Sequence, residues 1–80
     1  MHSVYLRWTQ SKSSVIGYYI YRGLTANGPF TRLNKSPEPA TIFIDAAVVA
    51  GAKYFYAITA TNTEGESTYS NVVQAVIPSP

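Results

Sequence analysis

Apolar and polar side chains alternate along most of this chain, most clearly from Gly51 to Ala60. There Tyr54, Tyr56, Ile58 and Ala60 fall on one side of a two-residue period, with Phe55, Ala57 and Thr59 on the other. A long strand with one packed face has this pattern, and we place it at the centre of the fold. Upstream, Val48-Val49-Ala50-Gly51 reads as a turn in which Gly51 can turn left-handed because it has no Cβ to clash. Tyr54 follows at a spacing that lets its phenol reach back and hydrogen-bond the backbone of that turn.

The remaining segments carry the same period. Val4-Tyr5-Leu6-Arg7-Trp8 puts Val4, Leu6 and Trp8 on a core face and Tyr5 and Arg7 outside, a half-buried strand with a core tryptophan. Thr9 to Ser14 is a polar loop. Val15 to Arg22 is β-branched and aromatic, with Tyr18 and Ile20 inward and Tyr19 and Tyr21 outward. Ala26-Asn27-Gly28-Pro29 signals a tight connection. Phe30 to Leu33 is a short strand with Phe30 or Leu33 dipping inward. Asn34 to Ala40 contains Pro37 and Pro39, which lack backbone donors, so this segment should cross between sheets. Thr41 to Asp45 is a further strand with Phe43 inward, and Val48 joins the core from the turn that follows. Asn62 to Ser67 reads as a polar turn around Gly65, and Asn71 to Ile77 as the last strand, with Val73, Ala75 and Ile77 on one face. Six strands, no helical period and no internal duplication predict an all-β antiparallel sandwich of two sheets. Residues 1–77 form one domain, and Pro78-Ser79-Pro80 reads as linker.

Composition adds constraints on function. A domain of 80 residues buries only about 60% of the surface its unfolded chain exposes. Hydrophobic residues make up 46% and charged residues 12%, against about 25% charged in an average soluble domain, so part of the exterior is expected to be apolar and to meet a partner. The net charge of +2 comes from Arg7, Lys12, Arg22, Arg32, Lys35 and Lys53, scattered singly, and no basic stripe for nucleic acid results. The absence of cysteine excludes disulfides and thiolate metal sites but leaves an extracellular location open. The apolar runs are too short to insert in a bilayer, and Met1-His2-Ser3-Val4 lacks the pattern of a secretion leader.

Candidate chemistry is sparse. His2 is the sole histidine and Asp45 the sole aspartate; at a strand end, Asp45 is expected to hydrogen-bond the turn backbone. Glu64 and Glu66 flank a glycine in a solvated turn and fall short of the oxygen set that calcium requires. Asn34-Lys35-Ser36 fits the glycosylation sequon, though Pro37 follows it. Enzymes need convergent titratable groups, so neither catalysis nor a cofactor or metal is expected.

Taken in order, Trp8, Tyr18-Tyr19-Ile20-Tyr21-Arg22-Gly23, Asn27-Gly28-Pro29-Phe30, Phe43 with Asp45, the Val48, Gly51, Tyr54 and Ala60 corner, Asn62, Gly65 and Ser70-Asn71 resemble the fibronectin type III family over nearly the whole chain. The resemblance is strongest to versions found between domains of secreted bacterial enzymes and surface proteins. It implies an immunoglobulin-like sandwich, a tyrosine corner at Tyr54, an extracellular or cell-surface setting and a noncatalytic role. Two departures stand out. The family's first strand has no counterpart, since only Met1, His2 and Ser3 precede Val4; in the family's topology the Val4 to Trp8 strand then becomes an open sheet edge, a template for pairing with another chain. The Arg-Gly-Asp tripeptide of some members is also missing, and Thr63-Glu64-Gly65-Glu66 stands in that loop.

The family's topology groups the outward residues into two faces. Tyr19, Tyr21, Phe55, Ala57, Val72 and Val76 share one, and Tyr5, Arg7, Ile42 and Ile44 the other. Apolar residues replace polar ones on both, which makes them interface candidates. Three functions follow: a spacer or protein–protein interaction module, a self-associating subunit whose neighbours cover the open edge and apolar faces, and a carbohydrate-binding module built on the aromatics. The expected partners are neighbouring domains or identical copies, with polysaccharide third.

Overall fold

Aromatic and β-branched residues spaced two apart favour extended backbone, and the described chain contains strands and turns but no helix. The computed structural model describes residues 2–9, 15–62, 65–67, 70 and 72–78. Its strands are β1 (Val4–Arg7), β2 (Gly17–Gly23), β3 (Phe30–Arg32), β4 (Ile42–Asp45), β5 (Lys53–Asn62), β6 (Gly65–Glu66) and β7 (Val73–Val76). Glu64, Asn71, Ser79 and Pro80, named above in the loop, the last strand and the linker, lie outside the described residues, as does Lys12.

All pairings between named strands are antiparallel and form two sheets. The smaller is β1–β4, with Tyr5 opposite Ile44 and Arg7 opposite Ile42. The larger runs β3–β2–β5, with β6 and β7 both pairing with β5. The central position of β5 follows from its length and from Tyr54, Tyr56, Ala57 and Thr59, all buried. Between Arg32 and Thr41 the chain passes from the larger sheet to the smaller, and Glu38 makes a single bridge to Tyr18 on the way.

The buried cluster is Ile20, Tyr54, Tyr56 and Ile77. Val4, Leu6 and Trp8 of the β1 segment, Phe43 of β4, Val48, Ile58 and Ala75 pack against it partly buried, and Tyr18 is buried beside them. Burying such side chains between two layers is the main favourable term for a domain of this size. The Gly51 turn closes one end: its φ of 81° belongs to glycine's left-handed region. The Val49 N–H donates to the Tyr54 hydroxyl at 3.1 Å, and Gly51 N–H donates to Ile77 O at 3.0 Å and Pro78 O at 3.2 Å.

Three expectations need correction. The turn around Gly65 contains a seventh short strand, because Gly65 and Glu66 pair with Asn62 and Thr61. Val73, expected in the core, lies opposite buried Tyr56 but is 50% exposed; the two-stranded sheet is too narrow to cover it. Ala57, expected on the solvent face, is buried together with Thr59. Their cross-strand neighbours are Tyr21 and Tyr19, large rings that shield the small side chains they face.

Candidate functional site at the open edge of the smaller sheet

The polar chemistry of the described residues divides between a closed cluster and an open groove. In the cluster, Asp45 at the end of β4 is 5% exposed and accepts three hydrogen bonds. Arg22 Nη1 of β2 and the Tyr56 hydroxyl of β5 each donate to Oδ2 at 2.8 Å, and the Ala47 N–H donates to Oδ1 at 3.1 Å. The guanidinium of Arg22 also lies over the Tyr54 ring, 5.2 Å from its centroid. Residues of both sheets thus meet on one carboxylate. Burial pushes the Asp45 carboxyl up, but the hydrogen bonds from Tyr56, Arg22 and Ala47 outweigh it, and its pKa falls below the ordinary 3.8. Burial, and then the bond to Asp45, push the Tyr56 phenol above its usual range. These shifts hold the carboxylate charged and the phenol neutral, which suits a permanent link between layers. A general base would instead need a pKa near the working pH and access to a substrate proton.

On the outer face of the larger sheet, Tyr19 and Tyr21 are only half-exposed. Arg32 covers the Tyr19 ring at 4.3 Å from its centroid. The Tyr21 hydroxyl donates to Glu66, as does Thr59 Oγ1 at 2.5 Å. These bonds, Thr59 first, hold the Glu66 carboxyl below its ordinary pKa. Phe55 is half-buried there, while Val72 and Val76 are exposed. Tyr19 and Tyr21, two of the interface candidates grouped above, thus have partners within the molecule.

The smaller sheet differs. Tyr5, Ile44 and Ile42 are exposed on its outer face at 58%, 57% and 39%, with Arg7 exposed beside them. Trp8 N–H donates to Thr41 O, which fixes the alternation of the ladder: Val4 and Leu6 also point their backbone groups at β4, and Tyr5 and Arg7 point theirs away. Among the described residues β1 pairs with β4 alone. Next to this edge lies a groove of about 590 Å³. Leu6 and Trp8 of the β1 segment line it together with Tyr18, Ile58, Ser70 and Val73. Trp8 meets Tyr18 edge to face at 5.5 Å, and its buried Nε1 has no hydrogen-bond partner among the described residues. Asp45, Arg22 and Glu66 do not line the groove. Among the described residues no His, Cys, Asp or Glu cluster could hold a metal ion.

The alternating period placed most of these side chains, but two contributions needed the tertiary structure to become visible. One is Asp45 as the meeting point of Arg22 and Tyr56; its isolation as the chain's sole aspartate was the signal available. The other is Asn34, whose Oδ1 accepts from Ile20 N–H at 2.9 Å while Nδ2 donates to Tyr18 O at 2.9 Å and Ser36 O at 2.8 Å. Its amide continues the β2 ladder past the end of β3, and a glycan on the Asn34-Lys35-Ser36 sequon would take one of the two hydrogens so used.

No protein-family model matches the chain. It is 34% identical over 74 residues to an amylopullulanase of Thermoanaerobacter thermohydrosulfuricus, a match covering 90% of this chain and 5% of that protein. The chain thus spans a small part of this curated relative. Among solved structures it superposes on a Fn3-like protein from Clostridium thermocellum with a TM-score of 0.80, at 24% identity, over 98% of this chain and 77% of that one. The twitchin kinase region of C. elegans matches with a TM-score of 0.77, at 23% identity, over 95% of this chain and 14% of that one.

Proposed function

Because the chain has a fibronectin type III fold, we propose that it is a noncatalytic spacer or protein–protein interaction module of a larger extracellular protein. The observation that carries this reading is the use of its buried polar groups. Asp45, the buried carboxylate among the described residues, is committed to Arg22, Tyr56 and the Ala47 N–H and stands apart from the groove. The amylopullulanase match over a twentieth of that protein favours a module set among other domains, and the bacterial sources of that match and of the Fn3-like structure favour a secreted setting. Sedimentation equilibrium of the isolated chain tests the reading. A spacer stays monomeric as concentration rises, whereas a self-associating subunit gains mass. Carbohydrate binding is disfavoured by the rings that would stack on sugars, since Arg32 already covers Tyr19 and Glu66 holds the Tyr21 hydroxyl. Retention on an insoluble glucan would reverse that ordering.

A further inference from the structure

The connection from β2 to β3 turns at Thr25-Ala26-Asn27-Gly28, the one place in the chain where glycine follows asparagine. The fold fixes Gly28. Its φ is 84°, which glycine adopts at no steric cost, and a Cβ there would lie 3.0 Å from Phe30 Cδ2. Asn27 is exposed, and its side-chain amide makes no hydrogen bond among the described residues. Asn34 is the contrast: its amide oxygen and nitrogen are both held, and Lys35 follows it. An asparagine amide is open to attack by the backbone nitrogen of the next residue, and a following glycine has no side chain to hinder the approach. Here that nitrogen is occupied. Gly28 N–H donates to Thr25 O at 3.1 Å, and the Thr25 hydroxyl donates to Gly28 O at 2.6 Å. Thr25 thus holds the peptide groups on both sides of Gly28.

We propose that Asn27 is a deamidation site and that Thr25 sets its rate. The Gly28 backbone nitrogen gives its proton to hydroxide and bonds to Asn27 Cγ. The bond from Cγ to Nδ2 then breaks, and that nitrogen takes protons from water and leaves as ammonia. The resulting succinimide adds one water: opening at Cγ gives aspartate, and opening at the Asn27 backbone carbonyl gives isoaspartate. Water is the sole co-reactant, and nothing is oxidised or reduced. Ring closure needs Gly28 N–H released from Thr25 O and the turn rotated, so it proceeds through local opening. Each bond from Thr25 lowers the population of that open state. The product carries a new carboxylate and lowers the net charge of +2 by one unit. As isoaspartate it also runs the main chain through an extra methylene on the way into β3. The change is one-way, so it accumulates with the age of the protein. It goes beyond the module reading and does not depend on it.

The test incubates the full chain in mildly alkaline buffer below its thermal midpoint. Peptide mass spectrometry follows conversion of amide to carboxylate, and an isoaspartyl methyltransferase counts the isoaspartate. Conversion is expected at Asn27 and not at Asn34, several-fold slower than in the free peptide Leu-Thr-Ala-Asn-Gly-Pro-Phe. Thr25→Ala should speed it roughly fivefold, the effect of one lost hydrogen bond on the opening equilibrium, and should speed exchange of the Gly28 amide as well. Thr25→Ser keeps the hydroxyl and should stay near wild type. Hydroxylamine, which traps a succinimide, should cut the chain between Asn27 and Gly28. No conversion at Asn27 while the free peptide converts overturns the site, and a mass gain with that bond resistant to hydroxylamine overturns the route. Equal rates in Thr25→Ala and wild type overturn the role of Thr25. Equal acceleration at Asn34 in Thr25→Ala also overturns it, because global unfolding would then be the cause.

Discussion

At the residue scale, Asp45 carries the most consequence. Its folded pKa lies below the ordinary 3.8, so the unfolded chain binds this proton more readily and the stabilisation is present above the unfolded pKa. It is lost as pH falls through the folded value. Glu66 shifts the same way but is exposed, and solvent reduces its effect. Asp45→Asn keeps the shape, weakens acceptance from Tyr56 and strips Arg22 of its counter-charge. We expect a loss of about 2–3 kcal/mol at neutral pH in urea unfolding, with the gap to wild type narrowing below about pH 4. Tyr54→Phe removes the acceptor of the Val49 N–H and should cost about 1 kcal/mol; an unchanged midpoint would mean the bond contributes nothing. Tyr54 could be anticipated because its turn is local in sequence. The partners of Asp45 could not, since Arg22 and Tyr56 reach it from another sheet and local pattern says nothing about which strands oppose one another.

At the scale of elements, alternation located the six principal strands because each buries one face. It placed Ala57 outside correctly in direction and wrongly in exposure: a two-residue period fixes which side a residue takes, and the size of its neighbours, here Tyr21 across the strand, fixes whether water reaches it. Val73 is the converse case, an inward residue left half-open because no strand lies beyond β1 among the described residues. Val73→Thr should therefore change stability by less than about 0.5 kcal/mol, whereas a fully buried valine would cost more. The strand end at Arg32 gave no hint that Asn34 would extend the ladder by its side chain. Asn34→Ala deprives Ile20 N–H of its acceptor and leaves Tyr18 O with the Glu38 N–H alone, and should cost about 1–2 kcal/mol in chemical denaturation. A neutral result would show that water replaces the amide.

At the scale of the whole molecule, the two sheets differ in how their described edges are satisfied. On the outer face of the larger sheet, Arg32 and Glu66 engage Tyr19 and Tyr21 while Val76 stays exposed, and Ser67 and Ser70 cap part of β5. The two-stranded sheet exposes Tyr5, Ile42 and Ile44, and among the described residues its β1 edge has no pairing strand. The composition suggested an apolar exterior; the structure spreads it over Tyr5, Ile42 and Ile44 on this side and Leu24, Val49 and Val76 elsewhere, while the Asp45 cluster ties this sheet to its partner layer. The most direct measurement is residue-resolved amide hydrogen exchange on the monomer. Leu6 and Trp8, bonded to β4, should exchange slowly with Ile20 and Tyr56, while Tyr5 and Arg7, interleaved in the same strand, exchange near the rate of an unstructured chain. Uniform protection along Val4 to Trp8 in a monomeric sample would show a closed edge and contradict the account.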